Sequence, residues 1–281
     1  MVVVRAMRAV IWFFVFALSV PAVADQFDDQ DGRDLKADAV SRLAHSLNPA
    51  IPTAVGKVVV RQAALLQARR LLVERGQRAG LDAGWNALAP EWQQAEQALT
   101  AQASELIDGK IVVSGWFYEI MQREIAKVLN AEEADYIAMH FTTPVGKEQR
   151  ILMEMRLVGE VLMANYSFTD RIDYRVPGLE DDLAQLSEAY WSLEPFRVRA
   201  SMTGPESMKF AGTAAGLKYT RMLAINGING LSAYIDSIAA QASNSVDEAE
   251  PLIDQYIALY RQRADAGQIP GESGAGQSAG Q

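Results

Sequence analysis

The chain contains no cysteine, and this absence removes several kinds of chemistry at once. There is no disulfide scaffold, no thiol nucleophile, no iron–sulfur cluster and no cysteine-ligated zinc. Histidine is almost as scarce, because only His45 and His140 occur, too far apart in sequence to form one short metal motif. From these absences we predict no catalytic residue, no metal ligand and no cofactor.

Basic residues are outnumbered by acidic ones, and the chain carries a net charge of −9. Such a balance repels phosphate backbones, and no basic stretch interleaved with aromatic residues is present. We therefore expect no nucleic-acid partner. The length of 281 residues and the hydrophobic content of 49% suit one large or two small domains with a real core.

Residues 1–24 have the pattern of a secretory signal peptide. Arg5 and Arg8 precede an unbroken apolar run over residues 9–18, and residues 22–24 (Ala-Val-Ala) suit a cleavage site. The run is shorter than the roughly 20 residues that span a bilayer. We predict export by the general secretory pathway to the periplasm of a Gram-negative bacterium, with no membrane span after cleavage. Cleavage would lower the net charge to −11, because it removes two arginines and no acidic residue.

Helical periodicity prevails along the rest of the chain, whereas alternation of apolar and polar residues is scarce. We predict an all-α domain over residues 25–266, a bundle of roughly eight helices that includes one or two long ones. Residues 205–242 are predicted as a long helical stretch that breaks at Asn226-Gly227 or Asn229-Gly230. Residues 267–281 are rich in glycine, serine and glutamine, which is typical of a disordered tail.

The most uneven charge distribution falls on the long helix predicted over residues 53–79. Six lysine or arginine residues occur over 57–78, against Glu74 as the one acidic residue. Gln62 and Arg69 fall inside the apolar arc of this helix, at about 100° per residue. Two interpretations of Arg69 stay open. In the structural one, the side chain extends to solvent along the apolar face or forms an ion pair with a carboxylate of a neighbouring helix; in the functional one, it faces a groove for a lipid headgroup or acidic partner.

Two helix starts are predicted near the middle of the chain. Asn130 with Glu133 three residues later is a capping-box pattern. Thr143 can cap the following helix through the amide of residue 145 or 146, with Pro144 at the first helical position. Gly146 would allow close packing at the corner between the two helices.

His140 is the candidate for acid–base chemistry in this segment. Tyr136 and Glu133 precede it at helical spacing, so a general base oriented by a carboxylate is one interpretation. A packed or surface histidine is the other. Lys147 stands beside the helix start and could contact an anion there, although the spacing of a P-loop is absent.

This segment resembles the DUF2059 family of bacterial exported proteins, over about residues 110–162. The resemblance rests on Glu132-Glu133, Tyr136-Ile137 and residues 141–147 (Phe-Thr-Thr-Pro-Val-Gly-Lys). It implies a helical unit and carries over no biochemical activity. Thr142 and Thr143 stand where the family typically has tyrosine and serine, and threonine retains the capping chemistry of serine.

Three functional hypotheses follow. The first is an exported, non-catalytic binding or protein-interaction module of the bacterial cell envelope. The second is a periplasmic helical carrier of a lipid or other amphipathic ligand, and the third and weakest is a cell-wall hydrolase with an unidentified carboxylate. The candidate contact residues for a ligand or partner are Gln62, Arg69, His140 and Lys147. The sequence leaves the oligomeric state open.

Overall fold

The computed structural model describes most of the helical part of the chain. Described are residues 30–113, 115–151, 153 and 209–266, with residues 181–182, 184–185 and 187–188. Contacts divide the chain into two compact units, residues 1–34 and 35–281, and the packing reported below is that of the second unit. The predicted signal peptide over 1–24 and the predicted tail over 267–281 lie outside the described residues.

Every secondary-structure element in these described ranges is helical, which confirms the all-α prediction. The α-helices are α1 (Gln30–His45), α2 (Ala50–Arg78), α3 (Pro90–Leu106), α4 (Gly115–Val128), α5 (Ala131–His140), α6 (Ala214–Met222), α7 (Ile228–Glu248) and α8 (Ile253–Asp265). The π-helical segments Ile107–Val112 and Leu223–Gly227 extend α3 and join α6 to α7, and a 3₁₀ turn, Glu250–Leu252, precedes α8. Residues 144–151 and 209–211 are helical as well.

Helix α2 lies at the centre of the bundle, where it packs most extensively against α7 and α3. More than half of its residues are buried. Gly56 lies at the closest approach, because a methyl group added there would come within 3.0 Å of Ile111 and 3.6 Å of Ile235. A small residue at this position therefore allows α2 to contact both α7 and the first π segment.

Gly80 ends α2 in a left-handed conformation, with φ of +65°. The amide of Gly80 donates to the carbonyl of Gln77, and the amide of Leu81 donates to that of Gly76, both at 3.0 Å. This pair of bonds is a Schellman motif, which satisfies carbonyls that the last helical turn leaves open. The long helix therefore ends within one residue of the predicted boundary.

The break predicted near Asn226 is wrong, because the chain stays helical from α6 through α7. Residues 223–227 widen to a π-helical turn instead of interrupting the helix. Tertiary packing explains the continuity: Gly227 lies against Met121 of α4, and a methyl group on Gly230 would reach Ile120 at 3.0 Å. Helix α4 thus packs against Gly227 and Gly230, the two glycines on which the predicted break rested.

Among the described helices, none is both long and apolar enough to cross a membrane.

Candidate functional site

The first predicted corner joins α5 to the helix over residues 144–151. The Thr143 hydroxyl accepts a hydrogen bond from the Gly146 amide at 3.0 Å and donates to the His140 carbonyl at 2.7 Å. The Thr143 amide donates to the same carbonyl at 3.0 Å, and the Lys147 amide donates to the Thr143 carbonyl at 2.9 Å. A methyl group on Gly146 would overlap the His140 carbonyl oxygen. The predicted cap and the close packing are both confirmed.

A second corner of the same construction precedes α6. The Thr213 hydroxyl accepts from the Gly216 amide at 3.0 Å and donates to the Phe210 carbonyl at 2.8 Å. The Thr213 amide donates to that carbonyl at 3.0 Å, and the Leu217 amide donates to the Thr213 carbonyl at 2.9 Å. A methyl group on Gly216 would overlap the Phe210 carbonyl oxygen. The two corners therefore agree bond by bond, with His140 and Phe210 in equivalent positions.

These two equivalent residues stack on each other. The rings of His140 and Phe210 are 4.2 Å apart between centroids and nearly parallel, at 4°. Phe210 is buried and also contacts the rings of Tyr136 and Phe141, while Phe141 contacts Tyr219 edge-on at 5.5 Å. We call this five-ring cluster the aromatic corner. It joins α5, α6 and both threonine caps into one packed unit.

Glu133 reinforces the aromatic corner from the start of α5. Its carboxylate accepts from the Asn130 amide at 3.1 Å, and its own amide donates to the Asn130 side chain at 2.8 Å. These two bonds are the predicted capping box. The same carboxylate forms an ion pair with Lys218 of α6 at 2.6 Å. Glu133 thus binds across the two helices and does not orient His140.

His140 is half-buried, and its Nε2 contacts the side-chain oxygen of Gln149, which is buried. The general-base interpretation has a carboxylate that orients the ring through one of its nitrogens. Here the ring stacks on Phe210 and bonds to an amide, which is the arrangement of a packed histidine. Lys147 is exposed on the helix that follows the corner.

Gln62 and Arg69, the other candidate contact residues, lie on α2 and face the bundle. Gln62 is completely buried. Arg69 forms two hydrogen bonds with the carboxylate of Glu96 on α3, at 2.7 and 3.3 Å. Of the two interpretations left open for Arg69, the structure has the ion pair with a neighbouring helix. The structure therefore places Gln62 and Arg69 on α2, whereas His140 and Lys147 lie at the first corner.

Four of the other five cations of α2 also meet acidic groups, and Lys57 instead donates to the amide oxygen of Gln185 at 3.0 Å. Arg61 pairs with Asp182 at 2.7 Å, and Arg75 pairs with Asp254 of α8 at 2.6 Å. Arg78 lies 3.4 Å from Glu74 and 3.7 Å from Glu250. Carboxylates, most of them from other parts of the chain, therefore neutralise the excess positive charge of this helix.

Phe210 and Tyr219 are the residues of the aromatic corner that the sequence did not single out. A signal was present: an aromatic or histidine ring, threonine three residues later and glycine three residues after that occur at 140–146 and again at 210–216. The second copy lacks the proline that draws attention to the first. Its Gly212 lies in the turn that precedes Thr213.

In the described part of the chain, no group of three or more acidic or histidine side chains is placed to bind a metal ion.

In comparison with known proteins, no family model, no curated protein and no solved structure matches the chain.

Proposed function

We propose that this chain is an exported, non-catalytic protein-interaction module of the bacterial cell envelope, and that the aromatic corner supports its partner-binding surface. The observation that carries the proposal is the exposure of large apolar side chains directly beside the corner. Met139, next to His140, is 71% exposed, and Leu217, next to Gly216, is 51% exposed. Tyr136 of the cluster is exposed as well.

The scaffold beneath these side chains favours binding. Both helix starts are capped, and both glycines let the backbone fold tightly against a carbonyl. Phe210 meanwhile holds the two corners together through its ring contacts. A surface that is ordered before a partner arrives loses less conformational entropy on binding. Exposed apolar side chains on such a surface mark a protein contact more often than isolated ones do.

Charge around the corner is of both signs. Lys147, Lys209 and Arg221 are its cations, Glu132 and Asp135 of α5 are acidic, and Lys218 is paired with Glu133. We therefore propose a partner protein whose surface has an apolar centre and a rim with charges of both signs, because opposite charges steer encounter and fix register.

Placement in the cell envelope draws on two features of the sequence. The first is the signal-peptide pattern of residues 1–24, and the second is the resemblance to the DUF2059 family around the first corner. The described part of that unit forms helices and capped turns. Its last residues, 154–162, lie outside the described part of the chain.

The test is site-specific photo-cross-linking of the full exported chain in intact cells. A photoreactive residue at position 139 or at position 217 should yield an adduct with the same partner protein. Position 88 is the matched control, since Leu88 is 78% exposed but lies on the loop between α2 and α3. In addition, Met139→Glu should reduce the adduct from position 217 by about tenfold or more, as expected for a hot-spot residue. Leu88→Glu should leave it unchanged.

Two results would overturn the proposal. Equal adducts from positions 88, 139 and 217 would mean that the corner has no special surface. A small molecule retained by the purified chain in native mass spectrometry, lost on denaturation and absent from a Met139→Glu variant, would favour the carrier hypothesis instead.

A further inference from the structure

Methionine supplies all the sulfur of this chain, which has ten methionines and no cysteine. The structure describes four of them. Met121 and Met222 are buried, and Met153 is partly buried against the core. Met139, in the last turn of α5, is 71% exposed. Because methionine is among the residues most often buried, this exposure distinguishes Met139 from the other three.

The surroundings of Met139 hold its backbone in place and leave its side chain open to solvent. The Met139 carbonyl accepts hydrogen bonds from the Thr142 amide at 3.1 Å and from the Thr142 hydroxyl at 2.7 Å. Tyr136, three residues earlier and on the same side of α5, is also exposed. A small reagent in solution can therefore reach the Met139 side chain without any opening of the fold.

The two buried methionines have the opposite environment. A methyl group on Gly227 would lie 3.8 Å from the Sδ atom of Met121, so this sulfur packs against the π turn between α6 and α7. Met222 is the last residue of α6 and belongs to the same core. Local or global unfolding is therefore needed before an oxidant reaches either of these sulfurs.

We propose that Met139 is a reversible oxidation site, at which hydrogen peroxide converts the thioether to the sulfoxide and thereby weakens partner binding at the aromatic corner. One oxygen atom passes from the peroxide to Sδ. An S–O bond forms, the O–O bond breaks, the sulfur is oxidised by two electrons, and the rest of the peroxide leaves as water. The regulation rests on the proposed function, because Met139 lies on the proposed partner-binding surface.

Oxidation at this position changes the chemistry of the surface without changing the core. The thioether is flexible and apolar, whereas the sulfoxide is polar and chiral. An apolar partner surface would bury the new S–O group without a hydrogen-bond donor, which opposes binding. Most of the Met139 side chain lies outside the core, so the same change removes no core contact.

The composition of the chain and its proposed location both favour this reaction. No thiol competes for the oxidant, because the chain lacks cysteine. Export, as proposed above, would place the chain outside the reducing cytosol. Methionine sulfoxide reductases restore the thioether, with one enzyme for each epimer, so the modification can be reversed.

The first experiment measures oxidation of the purified exported chain, with hydrogen peroxide as the probe. Peptide mapping by mass spectrometry should show sulfoxide at Met139 forming at least about tenfold faster than at Met121 or Met222, because susceptibility follows exposure. In urea the three rates should converge, since unfolding exposes all three thioethers to the same degree.

The second experiment measures the consequence for binding. The chain with a photoreactive residue at position 217 is oxidised, freed of peroxide and cross-linked in an envelope fraction from cells that lack the chain. Oxidation should reduce the adduct by about tenfold or more, the loss expected for a hot-spot residue. Treatment with both reductases should restore the adduct. Met139→Gln, with a polar side chain of similar length, should reduce the adduct without any oxidant.

Met139→Leu is the matched control, because leucine is apolar, similar in volume and free of sulfur. This variant should form the adduct equally well before and after peroxide treatment. It also separates the effect of Met139 from that of the methionines outside the described residues, which it leaves in place.

Met139 is not the proposed site if it oxidises no faster than Met121 in the folded chain. The regulation is overturned if a chain with sulfoxide at Met139 keeps its full adduct, or if peroxide removes the adduct from Met139→Leu as well. Failure of the proposed function is distinguishable, because the untreated chain would then give no more adduct from position 217 than from position 88. That result would overturn the regulation too, while the oxidation rates would still decide whether Met139 is a modification site.

Discussion

The two corners that meet in the aromatic corner have the same backbone geometry, but their rings differ in burial. Each has a threonine cap, a glycine packed on a carbonyl and the same four hydrogen bonds, with lengths that agree within 0.1 Å. His140 begins the first corner and is half-buried, whereas Phe210 begins the second and is 2% exposed. The comparison teaches that the same local backbone geometry can hold a ring in the core or at the edge of the core. The Phe210 ring of the second corner lies in the core, whereas the His140 ring of the first corner lies at its edge.

The largest expected effect separates the two rings. Phe210→Ala should destabilise the chain by about 3–5 kcal/mol, because it removes a buried ring and leaves a cavity between three aromatic neighbours. His140→Ala should cost about 1 kcal/mol, the range of a half-exposed aromatic stack. Urea unfolding followed by circular dichroism measures both. Equal losses would contradict the difference in burial between the two rings.

Next in size are the two glycines, where the corners should behave alike. Gly146→Ala and Gly216→Ala each force a methyl group into a backbone carbonyl oxygen that the threonine bonds hold in place. We expect a loss of about 1–3 kcal/mol for each, the range found for overpacking. Gly115→Ala is the control, since a methyl group there meets no atom within 4 Å. If either corner variant matched this control in its urea midpoint, the close approach at that corner would be disproved.

The smallest expected effect concerns the caps. Thr143→Ala and Thr213→Ala should each lower the free energy of unfolding by about 1 kcal/mol, because each leaves a helix-start amide without its acceptor. Thr142→Ala is the matched control, since the Thr142 hydroxyl bonds the Met139 carbonyl at 2.7 Å and caps no helix. The control should change stability by less than either cap variant. A loss confined to Thr143 would show that only the proline-containing corner depends on its cap.

Local features of the fold could be predicted from the sequence because their bonding partners lie within a few residues. The capping box at Asn130, the cap at Thr143 and the close packing at Gly146 are all of this kind. The second corner uses the same local chemistry, but its Phe-Ala-Gly-Thr sequence has no proline and more glycine. The equivalence of the two corners therefore became visible only once His140 and Phe210 were seen to stack.

Long-range features could not be predicted in the same way. The cations of α2 are consistent with an anion-binding groove until their carboxylate partners are known. Glu96, Asp182, Glu250 and Asp254 all come from other segments of the chain. The helix break predicted near Asn226 failed for a related reason, because packing against α4 stabilises a π turn that local propensity disfavours.

The sequence by itself determined that this chain is all-α, where the long helix α2 ends, and that one corner is capped by threonine. Those outcomes depend on periodicity and on hydrogen bonds between near neighbours, which the order of residues specifies directly. Only the tertiary structure decided which ring stacks on His140, which carboxylate neutralises Arg69, and which faces of α5, α6 and α8 stay exposed. These depend on contacts between residues far apart in the chain, and such contacts form only when the whole bundle folds.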